Sequence, residues 1–121
     1  MMSQVTLDQA MQIAMEHHHA GRLQQAEQIY RQILEHSPDH APAHHNLAVA
    51  LTEVGQLDEA IAACRRAVDI APGSPEIHCA LGNARAANGQ SDEAIAAYRQ
   101  AISLRPNYAQ AHCNLGNLLG G

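Results

Sequence analysis

Bulky aromatic side chains are almost absent from this chain. Its 121 residues include no Trp, no Phe and three Tyr, whereas alanine is abundant at positions of helical periodicity. A core filled by large rings is therefore excluded, and close packing of helices through small side chains is indicated.

Lysine is missing too, so the seven basic residues are all arginines, and they are scattered along the sequence. The formal net charge is −5 at pH 7. Because binding to phosphates requires a concentrated positive surface, we expect no nucleic-acid partner.

Long apolar runs are also missing. None could span a bilayer, and the first residues, MMSQVTLDQA, lack the basic start and the apolar segment of a signal peptide. The cysteines, Cys64, Cys79 and Cys113, show no CxxC spacing, which argues against a disulfide framework or a zinc module. We therefore expect a cytoplasmic protein with free thiols and no membrane partner.

What the chain does contain is a repeat. Pro38, Pro72 and Pro106 follow one another at a constant interval of 34 residues, which indicates stacked modules. In the stretch 41–74, APAHHNLAVALTEVGQLDEAIAACRRAVDIAPGS, apolar residues recur twice at helical spacing. Gly55 permits a turn between the two helices, and Pro72 prevents the second from continuing. Each module is therefore predicted to be a helical hairpin.

The same register divides the chain into units at residues 7–40, 41–74 and 75–108, followed by a half-unit of one helix at 109–119. Small residues recur at positions 8 and 20 of the units, with an aromatic at position 24 of two units and proline at position 32. This combination resembles the tetratricopeptide repeat over residues 7–119. The resemblance implies an all-α fold, a right-handed superhelical solenoid of antiparallel helix pairs. Such an array buries its apolar faces between neighbouring modules.

The chain departs from the family's pattern at two positions. Position 4, usually aromatic, holds His44, His78 and His112, and position 11 of the third unit holds Arg85. We interpret the histidines as one structural position, packed or hydrogen-bonded alike in each unit. The stem of Arg85 can lie on apolar surface while its head reaches water. We expect the first and third units to be looser than the second.

Catalytic and metal chemistry find little support in the sequence. His40 and His44 are four residues apart, as zinc ligands on a helix can be, but no Cys, Asp or Glu completes a set. His78 adjoins Cys79, yet adjacent helix residues point in different directions. We therefore predict no catalytic residue, no metal site and no cofactor, with a pH-sensitive or metal-binding role for the histidines as the alternative.

The resemblance also implies where a ligand would bind. In tetratricopeptide proteins, positions 2, 5, 6, 9, 12 and 13 of each first helix line a concave groove, and here none of them holds a lysine or an arginine. Capture of a terminal carboxylate by basic groups, as in chaperone-binding members, is therefore disfavoured. The candidate peptide-binding residues are Gln12, His45, Asn46, Val49, Cys79, Asn83, Asn114 and Asn117.

Asparagines predominate among these candidates. Each amide can donate to and accept from a peptide backbone. The motif AHHNLA at 43–48, repeated as AHCNLG at 111–116, resembles the repeats ahead of O-linked N-acetylglucosamine transferases, where a ladder of asparagines holds an extended peptide. The ladder is incomplete, since the third unit has Ala80. The alternative is that these asparagines are merely solvated polar residues.

Together these features predict a non-catalytic scaffold that holds a peptide segment of a partner protein in its groove. The alternative is the substrate-recruiting N-terminal region of a larger glycosyltransferase, because residues 19–34 look like the first repeats of bacterial proteins of that kind. The last helix carries Leu115, Leu118 and Leu119 with no second helix to cover them, so we expect either a longer array or a homo-oligomer formed through this helix.

Overall fold

A computed structural model describes residues 5–120 of the chain. This range forms seven α-helices and no strand. The helices are α1 Leu7–His19, α2 Leu23–His36, α3 Ala41–Glu53, α4 Leu57–Ile70, α5 Pro75–Ala87, α6 Ser91–Leu104 and α7 Ala109–Leu118.

Consecutive helices pack against each other along the chain, and α3 also contacts α1 and α5, as α5 contacts α7. The odd-numbered helices are therefore neighbours of one another, and each even-numbered helix packs against the odd-numbered helices before and after it. The prediction of an all-α helical repeat solenoid is confirmed.

Glycine sits in the turn of each hairpin. Gly21, Gly55 and Gly89 have φ angles of +83°, +84° and +79°, in the left-handed region that strains residues with a Cβ atom. The prediction that Gly55 permits the turn between two helices is confirmed.

The recurring histidines tie each first helix to the proline loop before it. The Nε2–H group of His44 donates to the Pro38 carbonyl oxygen at 2.8 Å, and His78 bonds the carbonyl of Pro72 in the same way, also at 2.8 Å. His112 does so with Pro106 at 2.7 Å. The interpretation of these histidines as one hydrogen-bonded structural position is confirmed, and it explains why histidine recurs in phase with the prolines.

Small side chains dominate the buried interior. The alanines at positions 8 and 20, namely Ala14, Ala26, Ala48, Ala60 and Ala94, are all 0% exposed. Larger groups such as Tyr30, Leu51 and Tyr98 fill the space around them. The buried residues form four clusters along the array, as expected when each unit packs only on its neighbours.

Burial differs between units, and it agrees with the prediction of looser packing for the first unit but not for the third. Helix α1 buries two residues, whereas α3 and α5 bury six each. Equal burial in α3 and α5 argues against a looser third unit, because small residues such as Ala80 and Gly82 are buried along α5 while Arg85 stays half-exposed. Between residues 5 and 120, no helix combines the length and the apolar character needed to cross a membrane.

Candidate functional site

The first helices of the units, α1, α3, α5 and α7, share a surface that we call the inner face. It contains two pockets with volumes of about 330 and 210 Å³. Val49 on α3 lines both pockets, so they adjoin. A ligand lying across the helices could enter both.

The first pocket is organised by His18, which bridges three helices. Its Nε2 lies 2.9 Å from Oε1 of Glu53, and its Nδ1 lies 3.4 Å from the hydroxyl of Tyr30. Burial raises the pKa of Tyr30 to about 12, and the charge of Glu53 acts in the same direction. The phenol therefore stays protonated and can donate to His18.

Two polar groups of this pocket remain available to a ligand. Oε2 of Glu53 and the amide of Asn46 form no hydrogen bond with another side chain or with the backbone in residues 5–120. Apolar surface lies beside them, since Met15, which is 40% exposed, and Val49 complete the lining.

An amide network borders the second pocket through Asn83, which lines it. The Tyr98 hydroxyl donates to Oδ1 of Asn83 at 2.6 Å, and Nδ2 of Asn114 donates to the same oxygen at 2.9 Å. Asn83 and Asn114, on α5 and α7, are therefore linked to each other rather than both held free for a ligand. The other amide groups, Nδ2 of Asn83 and Oδ1 of Asn114, take no part in these two hydrogen bonds.

His45 in the second pocket is held neutral. Burial lowers the pKa of its imidazole, and the nearby charge of Glu76 opposes that shift without reversing it. A neutral imidazole offers one donor and one acceptor, so His45 can bind a neutral polar group.

Glu76 is an ion-paired carboxylate at the edge of the second pocket. Nη2 of Arg105 lies 2.7 Å from its Oε2, and the Ser74 hydroxyl donates to its Oε1 at 3.2 Å. A hydrogen bond from its own backbone N–H and the bond from Arg105 lower the pKa of Glu76. The Arg105 guanidinium also lies 5.0 Å from the ring centre of Tyr108, which lines this pocket.

The cysteines are free, as predicted. Burial raises the pKa of Cys79, which lines the second pocket, and raises the pKa of Cys64 to about 12. Both therefore remain thiols near neutral pH and behave as small apolar groups.

The structure distributes the eight predicted binding residues unevenly. Asn46 and Val49 line the first pocket, and His45, Val49, Cys79 and Asn83 line the second. Asn114 reaches the second pocket through its bond to Asn83. The exposed Gln12 and Asn117 line neither.

Sequence reasoning missed the tyrosines. The repeat pattern identifies Tyr30 and Tyr98 only as the aromatics at position 24, yet each hydroxyl is bonded to a polar residue of the inner face. The available indication was general: a buried tyrosine needs a partner for its hydroxyl.

The histidine pair considered as a metal site is engaged elsewhere. Nδ1 of His40 accepts from the N–H of Ala43 at 3.2 Å at the start of α3, and His44 is bonded to Pro38. Across residues 5–120, no three or more His, Cys, Asp or Glu side chains cluster closely enough to hold a metal ion.

Solved structures share this architecture. An O-GlcNAc transferase mutant from Thermobaculum terrenum is 32% identical with a TM-score of 0.91, over 93% of this chain and 22% of that chain. The first TPR of Spaghetti (RPAP3), bound to the HSP90 peptide SRMEEVD, is 20% identical with a TM-score of 0.89, over 93% of this chain and 90% of that chain. The second TPR domain of human RPAP3, in complex with the HSP70 peptide SGPTIEEVD, is 18% identical with a TM-score of 0.87, over 96% of this chain and 100% of that chain.

Family models agree with the structural likeness, although no curated protein sequence matches the chain. A model described as tetratricopeptide repeat matches residues 17–87, and a second described as TPR repeat matches residues 82–121. The chain spans about a fifth of the transferase that it resembles, 22% of its length. With more than half of its residues matched by the first of these models, the chain belongs to the tetratricopeptide repeat family.

Proposed function

We propose that the protein binds a segment of a partner protein along its inner face. The observation that carries this proposal is the pair of adjoining pockets, in which the unbonded groups of Asn46 and Glu53 lie beside apolar surface. Two structures with the same fold are complexes with peptides, one from HSP90 and one from HSP70, which supports a role in protein interaction.

The ligand should differ from those two peptides in charge. Both of them end in the acidic sequence EEVD, whereas the pockets here are lined by Glu53 and Glu76 and by no Lys or Arg. Because Arg105 neutralises Glu76, Glu53 is left as the principal anionic group. We propose a neutral or basic segment.

A Lys or Arg side chain would suit the first pocket. Its aliphatic stem can lie on Met15 and Val49 while its charged head pairs with Oε2 of Glu53. The amide of Asn46 can at the same time donate to, or accept from, the backbone of an extended segment. Asn83 and Asn114 would contribute as a linked pair, one unit further along.

Peptide selection on the purified chain, followed by titration calorimetry, tests the proposal. Asn46→Ala should weaken the selected peptides about 2- to 12-fold, which corresponds to loss of about 0.5–1.5 kcal/mol for a hydrogen bond. Glu53→Gln should weaken basic peptides more than neutral ones. Asn88→Ala, at the exposed end of α5, is the matched control and should leave affinity unchanged.

Two outcomes would contradict the proposal. One is unchanged affinity in both Asn46→Ala and Glu53→Gln, with melting temperatures that show intact folding. The other is tight binding of the peptide SRMEEVD, which would show that an acidic terminus is accepted despite the lining.

A second candidate function rests on the likeness to the O-GlcNAc transferase. That protein is 32% identical to this chain over the aligned part, above the level at which only the fold is shared. Under this alternative, the inner face recruits substrate proteins for a glycosyltransferase domain that belongs to the same polypeptide. The length of the coding sequence tests it, since a gene that encodes this array alone would exclude the alternative.

We also propose that copies of the chain associate through α7. Leu119 beside the end of this helix is 58% exposed, and Leu115 and Leu118 are partly buried against the last cluster. The apolar surface at this helix is what another copy, or a further repeat, could cover.

A further inference from the structure

The second helices also border grooves, and one of these differs from its counterpart. The outer groove, as we call it, is bounded by α2, α3 and α4 and has a volume of about 600 Å³. One unit further on, the corresponding cavity over α5 and α6 measures about 330 Å³.

Position 11 of the units distinguishes the two cavities. In the outer groove it is Leu51, 1% exposed, which forms an apolar floor with Leu34 and Leu47. In the counterpart it is Arg85, whose side chain lines the cavity in place of leucine. The outer groove is therefore larger and more apolar at its floor.

Arginines surround this floor. Arg31, Arg65 and Arg66 line the outer groove, so three of the seven basic residues of a chain with net charge −5 meet at one place. Arg65 and Arg66 are adjacent in the sequence, and the position of α2 beside α4 brings Arg31, 34 residues before Arg65, to the same groove. In the counterpart, Gln100 replaces Arg66.

Two of these arginines are available to a ligand. Arg31 lies 3.1 Å from Glu59, which also lines the groove, whereas Arg65 and Arg66 form no ion pair with any residue in the range 5–120. Asp69 lines the groove too, without an ion pair in that range. Three guanidinium groups therefore face two carboxylates, one of which is already paired.

We propose that the outer groove binds an acidic segment of a partner protein, with apolar side chains on the floor formed by Leu34, Leu47 and Leu51 and carboxylates paired with Arg65 and Arg66. The leucine floor favours a protein segment, since apolar contacts stabilise peptide ligands in grooves. A nucleic acid would bring a continuous row of phosphates against Glu59 and Asp69, whereas a protein segment can place its carboxylates at Arg65 and Arg66 alone. This site is separate from the inner face and does not depend on its function.

Subtractive peptide display tests this proposal directly. A random peptide library is selected on the wild-type chain. Peptides that also bind the double variant Arg65→Gln with Arg66→Gln are then discarded, which removes those that bind the inner face. The peptides that remain should contain Asp or Glu next to apolar residues. In titrations their affinity should fall about tenfold or more in the double variant, as for loss of paired charges. Arg99→Gln, at the position of Arg65 one unit further on, is the matched control and should have no effect.

The two cavities allow an exchange experiment. Leu51→Arg gives the outer groove the arginine found at this position in the counterpart cavity, and it should abolish binding of the selected peptides. Arg85→Leu with Gln100→Arg gives the counterpart cavity the leucine and the arginine found at these positions in the outer groove. This double variant should acquire a second, weaker binding site. Since Leu51→Arg alters a buried residue, the exposed double variant remains decisive if Leu51→Arg fails to fold.

Three results would overturn the proposal. Depletion could leave no peptides, or leave peptides without acidic residues. The selected peptides could bind the double variant as well as they bind the wild type. Duplex DNA could compete with them at equal charge concentration, which would identify the groove as a general anion site.

Discussion

A Cβ atom on Gly82 would lie 2.5 Å from Cε1 of Tyr98, closer than such atoms approach in proteins. Glycine at position 8 of the third unit therefore accommodates the tyrosine at position 24. In the second unit the same two positions hold Ala48 and Cys64, and in the first unit they hold Ala14 and Tyr30, so the requirement for glycine is specific to the packing of the third unit.

Gly82→Ala should lower the free energy of unfolding by about 1–3 kcal/mol, because the ring of Tyr98 must shift to relieve overpacking. Gly116→Ala is the matched control, since it occupies the same position of the last unit and nothing lies within 4 Å of its Cβ. We expect it to be neutral or to stabilise α7 by up to about 1 kcal/mol. Urea denaturation measures both.

The background variant Tyr98→Cys reproduces the pair found in the second unit. In that background Gly82→Ala should be almost harmless, which a double-mutant cycle will quantify. An equal cost of Gly82→Ala in both backgrounds would show that the ring is not the cause.

The hydrogen bonds from the histidines to the proline loops predict that removing a buried histidine lowers stability more than removing an exposed one. His44→Ala should cost about 1–3 kcal/mol of unfolding free energy, because both a hydrogen bond and a buried ring are lost. His112 makes the same bond but is exposed, so His112→Ala should cost less than about 1 kcal/mol. Equal costs in guanidinium melts would mean that burial of the ring contributes nothing.

The lowered pKa of His45 predicts a dependence of stability on pH. The unfolded chain protonates this ring below about its ordinary value of 6.5, whereas the folded chain does so only at lower pH. The unfolded state therefore binds more protons as the pH falls, and the free energy of unfolding decreases by up to about 1.4 kcal/mol per pH unit from this group.

Replacement of the ring isolates this contribution. His45→Gln should lose less stability than the wild type when denaturation is compared between about pH 7.5 and pH 5.5. Parallel losses in the two proteins would show that His45 is not the group responsible.

Association through α7 predicts a dependence of mass on concentration. Leu115 and Leu118 are partly buried, so charge there would also disturb the fold, whereas Leu119 is 58% exposed. Leu119→Glu should therefore shift light scattering towards the monomer without changing the melting temperature. Val54→Glu, at a residue 40% exposed near the end of α3, is the control. A wild-type chain that stays monomeric throughout a concentration series would reject association between copies.

Part of the candidate site followed from the repeat register together with the groove positions that the family resemblance implies, but its hydrogen bonding did not. The register and the resemblance together placed Asn46, His45 and Cys79 on the groove, and these residues line the two pockets. Neither gave any indication that Asn114 would donate to Asn83, 31 residues away, or that His18 would reach Glu53, 35 residues away. Such bonds depend on side-chain rotamers across a boundary between units.

The sequence by itself determined the helices, the hairpin turns and the stacked architecture. Helical periodicity, the left-handed turn at Gly55 and the stop at Pro72 are local properties of the backbone, and the interval of 34 residues repeats them. Tertiary structure alone decided that Arg31 meets Arg65 and Arg66 around one leucine floor, and that His18 meets Tyr30 and Glu53 in the first pocket. The physical reason is that these groupings depend on how successive units stack, which brings side chains from different repeats together.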